Sequence, residues 1–188
     1  MSRQDPDRDK VTYQPTDKAT GGAASLPLST GGSGNFPIRV ARDGTWFYRD
    51  SPIQRKELAK LFSTVLQLDG DGRYWLKTPV EQGVIEVEDV PFTAVELKAE
   101  GAGRDMALRF RNNFNDWVTA DLDHPIRIVQ DPETGEPSPY IRIRDNLDAL
   151  ILRPVFYELV EIATPVERDG RTILGVWSAG EFFELGEE

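Results

Sequence analysis

From residue 37 onward the chain alternates apolar and polar positions over short runs, and helical spacing interrupts that alternation twice. In PIRVARDGTWFYR, Ile38 and Val40 alternate with Arg39 and Ala41, Asp43-Gly44 is a hairpin turn signal, and Trp46 and Tyr48 share the face opposite Phe47. This predicts a β-hairpin. Ser51 as N-cap, Pro52 at the first helical position and Gln54 completing a capping box predict a helix over about 52–67, with Leu58, Leu61, Phe62, Val65 and Leu66 on its apolar stripe. Asp69-Gly70-Asp71-Gly72 ends that helix, and RYWLKT, GVIEVED and FTAVELKAE then read as strands of a meander. The later part repeats the vocabulary. ALRFR, DWVTA, PIRIVQ and YIRIR are alternating strands, LDALILRPVFYELVEIA leads into a second helix, and RTILGVWS and EFFEL close the chain.

Residues 1–36 lack such a pattern. Charges of both signs cancel there, and GGAASLPLSTGGSGN follows, a composition that buries too little apolar surface to offset ordering. They are expected to form a flexible tail.

The repeated vocabulary points to duplication. A gapless shift of 98 positions aligns Asp50–Leu76 with Asp148–Leu174. Identities fall at Asp50/Asp148, Ile53/Ile151, Arg55/Arg153, Leu61/Leu159, Asp71/Asp169, Gly72/Gly170, Arg73/Arg171 and Leu76/Leu174. That is eight of 27 positions, where ordinary composition gives roughly two by chance. The expected architecture is α+β: two tandem, structurally related halves, 37–103 and 104–188, each an antiparallel β-sheet with one main helix. Two similar halves packed together leave a cleft at their junction, where ligand sites are favoured. The aromatics of TWFY and RYWL read as core and cross-strand pairs.

Charge and composition then narrow the partners. The formal net charge is −10, which argues against a protein that tracks phosphate backbones, so nucleic acid is not an expected partner. No cysteine is present and a single histidine cannot make a typical zinc site. The apolar runs are too short to span a bilayer, so a membrane is not expected either. A soluble, cytoplasmic, bacterial-type protein is the expectation.

The runs DGTWFYRDSPIQRKELAKLF, DGRYWLKTPVE with VEDVPF, RFRNNFNDWVTADLDHP, PYIRIRDNLDALILRPVFYELVE and GVWSAGEFFELG occur in an order that resembles the bacterial domain-of-unknown-function 1285 family. The likeness covers about residues 36–186. It implies a cytoplasmic protein with a core built by domain duplication, the second half superficially like a pleckstrin-homology fold. It also implies a ligand at the domain interface, nucleotide-based in chemistry, and a regulatory or signalling role. No activity comes with it.

The residues themselves offer little catalytic chemistry. His124 lies beside Asp121 and Asp123 in DLDHP, which reads as a polar turn before Pro125. Asn113, Asp116, Asp121 and Asp123 lack the glycine and closing glutamate of a calcium loop. No cofactor and no metal is called for. The arginines are the better lead: from residue 99 onward there are nine and no lysine. Arg142 and Arg144 project from one face of PYIRIR, and a planar guanidinium grips phosphate or carboxylate bidentately. Arg39, one hairpin before the first helix, is expected on a comparable strand. Arg142, Arg144 and Arg153, with Tyr157 or Trp177 for stacking, form the candidate ligand-binding set for a small anionic, nucleotide-like ligand. The competing expectation is internal ion pairing with Asp145 and Asp148. A non-catalytic sensing or regulatory module in signal transduction therefore ranks first. The alternatives are a metal-dependent hydrolase on a nucleotide-like substrate, or an acidic adaptor for a protein partner, since residues 104–188 carry nine arginines against 17 acids.

Overall fold

The computed structural model describes residues 34–187. The first half comprises β1 (Gly34–Val40), β2 (Trp46–Tyr48), β3 (Ser51–Pro52), α1 (Lys56–Thr64), β4 (Leu66–Leu68), β5 (Tyr74–Lys77) and β6 (Gln82–Val87). Its six strands form one sheet in the order β3-β2-β1-β6-β5-β4. The second half comprises β7 (Phe92–Glu100), β8 (Ala107–Asn112), β9 (Trp117–Thr119), β10 (Ile126–Gln130), β11 (Pro137–Arg144), β12 (Leu147–Ile151), α2 (Arg153–Glu161), β13 (Thr164–Arg168), β14 (Arg171–Ser178) and β15 (Glu181–Glu187). Six of those strands make a sheet in the order β10-β11-β12-β7-β8-β9, and β13-β14-β15 make a third.

Three expectations change. The sheets are mixed: β1 pairs with β6, and β7 with β12, in parallel, because each sheet joins two antiparallel meanders through their first and last strands. The break between halves falls at 88–91 and not after 103, since β7 hydrogen-bonds to β8 and β12. The strand β1 begins at Gly34 and buries Phe36, so 34–36 belong to the fold; the tail expectation for 1–33 lies outside the described residues.

The first helix is also shorter than its cap signals suggested. Ser51 and Pro52 pair with Tyr48 and Phe47 as β3, and Arg55 is the N-cap. Arg49 and Asp50 make the turn before them at positive φ, 47° and 64°, the geometry of a two-residue hairpin loop. The hairpin thus takes the residues that a capping box would have used.

The duplication is visible in the order of elements. Three strands, a helix and a three-strand meander occur as β1–β3, α1, β4–β6 and again as β10–β12, α2, β13–β15. Asp71-Gly72 and Asp169-Gly170 sit at the tips of the corresponding hairpins β4–β5 and β13–β14, with Gly72 and Gly170 at φ 79° and 75°. The helices correspond one residue out of step with those tips. Leu61, matched to Leu159 by the gapless shift, is 61% exposed while Leu159 is fully buried; Phe62 is the buried counterpart. Arg39 lies on the first strand of its unit and Arg142 on the second, so they are not equivalent. The meander β7–β9 is an insertion between the two units, and it joins the second unit's sheet through β7 and β12.

One core serves both halves. Trp46 stacks on Phe62 at 6.5 Å and meets the edge of Phe114 at 6.3 Å, and Phe114 meets Phe92 edge-on at 6.1 Å. Phe114 points inward because the Asn112 side-chain oxygen accepts the N–H groups of Phe114 and Asp116 at 2.8 and 3.0 Å, folding the β8–β9 turn around it. Lys60 of α1 closes the contact by donating to the Phe114 carbonyl at 2.7 Å and pairing with Asp116 at 2.9 Å.

Phe114→Ala is expected to lower stability by about 3–5 kcal/mol, read as a lower urea midpoint with both halves unfolding in one transition. A second expectation concerns Asp69. The backbone N–H of Arg73, then the indole N–H of Trp75, hold its carboxyl at about 2, below the 3.8 of a free side chain. A depressed carboxyl contributes stability above its unfolded pKa and loses it as pH falls through the folded one. Urea midpoints should fall from pH about 4 to about 2, and Asp69→Ala should flatten that slope.

Candidate functional site

A polar network runs along the junction. Arg42, in the β1–β2 turn, donates to the Ser138 hydroxyl at 3.0 Å and lies 3.5 Å from the Asp89 carboxylate. Asp89 accepts the Tyr140 hydroxyl at 3.0 and 3.1 Å. Arg127 covers the Tyr140 ring at 4.6 Å and shares Asp148 with Arg142. Burial, then the nearby carboxylates Asp148 and Asp89, raise the Tyr74 hydroxyl; burial and Asp89 raise that of Tyr140. Both phenols therefore stay protonated at neutral pH.

This network decides the fate of the predicted arginines. Asp148 is buried to 8% side-chain exposure, and the two guanidinium groups of Arg127 and Arg142 neutralise it. Arg142 also donates to the Asp145 carbonyl at 2.8 Å. A β-bulge between Arg142 and Arg144 sends the latter elsewhere: it donates to the Ser63 carbonyl of α1 and lies 5.4 Å from the centre of the Phe92 ring. Both side chains are thus engaged with protein groups, and Arg144 ties the two halves together.

Trp177 lies 5.2 Å from Phe182 and carries Arg104 on its ring at 4.7 Å. Tyr157 is 58% exposed on α2. His124 pairs with Asp121 at 3.0 Å in a polar turn, and Asp116 pairs with Lys60, so these acids serve separate local structures. Among the described residues no group of three His, Cys, Asp or Glu could hold a metal ion. Nor is any described helix long and apolar enough to cross a membrane.

Arg153 is different. Of the nine arginines beyond residue 99, eight reach a carboxylate, a carbonyl or an aromatic ring: Arg104 and Arg109 cover Trp177 and Trp117, Arg111 pairs with Glu96, Arg127 and Arg142 with Asp148, Arg168 with Glu184, Arg171 with Glu187, and Arg144 with Ser63. No described residue within hydrogen-bond or ion-pair distance partners Arg153. It lines a cavity of about 210 Å³ with Arg42 of the first half and Glu136, Ser138, Leu150 and Phe156 of the second. The cavity opens at the start of α2, whose N-cap Leu152 offers no side-chain acceptor and whose second residue is Pro154. Its N-terminal N–H groups and partial positive charge face outward there. The sequence search named Arg153 but missed Arg42, which sits in a turn remote in sequence.

Arg142→Gln is expected to lower the stability of the ligand-free protein by about 1–3 kcal/mol, because Asp148 keeps only Arg127; a urea titration reads the loss.

The sequence of residues 30–90 matches the family model described as a domain of unknown function (DUF1285), N-terminal domain, and residues 91–185 match that of the corresponding C-terminal domain. Among solved structures, a DUF1285 family protein from Silicibacter pomeroyi DSS-3 is 41% identical over 89% of this chain and 90% of its own, with a TM-score of 0.76. Another, from Shewanella baltica OS155, is 23% identical over 66% of this chain and 91% of its own, with a TM-score of 0.54, a likeness of fold alone. No curated protein matches the sequence.

Proposed function

The chain belongs to the DUF1285 family, and from that premise we propose that it is a non-catalytic, cytoplasmic sensing module that binds a small anion, nucleotide-like ligands included, at the junction of its halves. The observation that carries this reading is the Arg153 guanidinium, which pairs with no described residue although residues 104–188 hold 17 acids. It lines one cavity with Arg42 across the junction. An arginine that pairs with no described residue leaves its donors available to a ligand, and that guanidinium with the first turn of α2 suits phosphate or carboxylate, while Arg42, already engaged with Asp89 and Ser138, adds positive charge to the same cavity.

Size sets the ligand class. A volume of about 210 Å³ is small for a whole nucleotide, since pockets for drug-sized molecules run from about 300 Å³ upward. A phosphate group or small carboxylate fits inside, and a base would extend outward past Phe156. Because Arg42 comes from one half and Arg153 from the other, an anion held by both couples the two, which is the basis of the regulatory role.

A thermal-shift titration of the full chain with inorganic phosphate, AMP and succinate tests this. At least one anion should raise the melting temperature, by roughly 5–10 °C at a hundredfold excess over Kd. Arg153→Gln should abolish that rise while leaving the ligand-free melting temperature unchanged. Absence of a response to all three anions, or a full response in Arg153→Gln, overturns the reading.

A further inference from the structure

We infer that the solvent face of the first sheet carries a second, independent site that binds a small zwitterion of the amino-acid class. Its origin is a proline. Pro37 sits inside β1, a central strand of the sheet, and has no N–H to give to a neighbour. The parallel ladder skips there: Asn35 is opposite Val84 and Arg39 opposite Glu86, so β1 spends four residues where β6 spends two. Such bulges bend a strand and re-aim its side chains. Phe36 drops into the core against Gly83, where an added Cβ would lie 2.7 Å from its ring. A cavity of about 470 Å³ opens over the irregular stretch.

The cavity's chemistry is of both signs. Arg39 has Phe47 on one neighbouring strand and Glu86 on the other. Its guanidinium covers the Phe47 ring at 4.2 Å and pairs with Glu88. Arg49, Asp50 and Glu86 also line the cavity. Arg49 covers the Tyr48 ring at 5.3 Å, and among the described residues none of these three forms an ion pair, although cation and anions share one concavity. Arg49 and Asp50 are held there by the β2–β3 turn, in left-handed backbone at two consecutive residues that carry β-carbons, where Asn-Gly is the ordinary choice. The Arg49 N–H fixes the turn by donating to the Pro37 carbonyl at 2.9 Å.

A ligand of one sign would satisfy only part of this set. An anion alone leaves Asp50 and Glu86 repelling it, and a cation alone meets Arg49. A molecule carrying a carboxylate and an ammonium pairs with both, its carboxylate at Arg49 and its ammonium at Glu86 or Asp50, while Phe47 and Val84 supply apolar contact. Free amino acids have that charge arrangement. Their volume fits the cavity with room for a side chain.

The full chain is titrated with each of the twenty common amino acids by thermal shift and calorimetry, followed by the N-acetyl and carboxamide forms of the best binder. The expected result is a melting-temperature rise of roughly 5–10 °C at a hundredfold excess over Kd, with both blocked forms binding at least tenfold more weakly. Arg49→Gln and Glu86→Gln should each lose tenfold or more in affinity. Arg49→Lys, which keeps the charge in the same turn, should retain most of it if the fold is intact. Loss of amino-acid binding in Arg153→Gln would place the ligand in the junction cavity and overturn this site. Binding by none of the twenty, equal binding of a blocked form, or wild-type affinity in both glutamine variants would falsify the proposal.

Discussion

The edge-to-face contact between Trp46 and Phe114 joins the second half to a first half, Gly34–Val87, that is too small to stand comfortably alone, and the remaining architecture depends on it. A unit of about 60 residues buries only about 60% of its unfolded surface and is marginal by itself. A core continuous across the junction, with the aromatic chain Phe62, Trp46, Phe114 and Phe92 running through it, removes that limit. Its cost is specific. The Trp46 indole N–H is buried with no acceptor among the described residues, an omission worth about 1–3 kcal/mol. The aromatic contacts around the ring offset it, and Lys60, Asn113 and Arg144 add hydrogen bonds around the same junction.

Phe114 belongs to the inserted meander and to neither repeat, so the insertion supplies part of the shared core. In the first unit the opening strand β1 pairs directly with the closing strand β6. In the second, β10 lies against β15 without forming a ladder, and the sheet instead extends through β12 to β7–β9. The insertion therefore supplies the aromatic plug while the second unit's own strands separate. In both units the concavities lie at this seam between opening and closing strands: the cavity over Pro37 in the first, and a groove along Ile126, Ile128, Phe183 and Leu185 in the second. A seam joining two meanders is where ladder regularity is weakest, because its pairing is set by long-range closure and not by a tight turn.

Strand alternation and turn chemistry made most of the fold legible. The strands from RYWLKT to EFFEL, the two helices and the 98-residue offset all follow from local pattern. The cap signals at Ser51, Pro52 and Gln54 misled because a hairpin competes for the same residues, and Arg-Asp is not a sequence that announces a left-handed turn. Strand β7 was assigned to the wrong half for a different reason. Its sequence fixes its alternation but carries no information about whether β6 or β12 lies beside it. Pro37 was the overlooked signal: a proline inside an alternating run marks an edge or a bulge, and here it marks the bulge that opens a cavity.

The same distinction governs the arginines. Spacing placed Arg142 and Arg144 on one strand face, yet a guanidinium's availability depends on which carboxylates and carbonyls the topology brings to it. Asp148, only six residues from Arg142, is buried deeply enough to demand two cations. Once Arg142 answers that demand, its donors are no longer open to a ligand. Arg153, by contrast, starts a helix where a positive side chain opposes the dipole and the first turn carries no acid, although Glu136 lines the same cavity. Both effects disfavour an isolated cation there. The folded chain tolerates it beside a second arginine, in a concave site, within an acidic half. The donors of Arg153, unlike those of Arg142, are met by no described residue, and on the proposed reading these are the donors that an anion would engage.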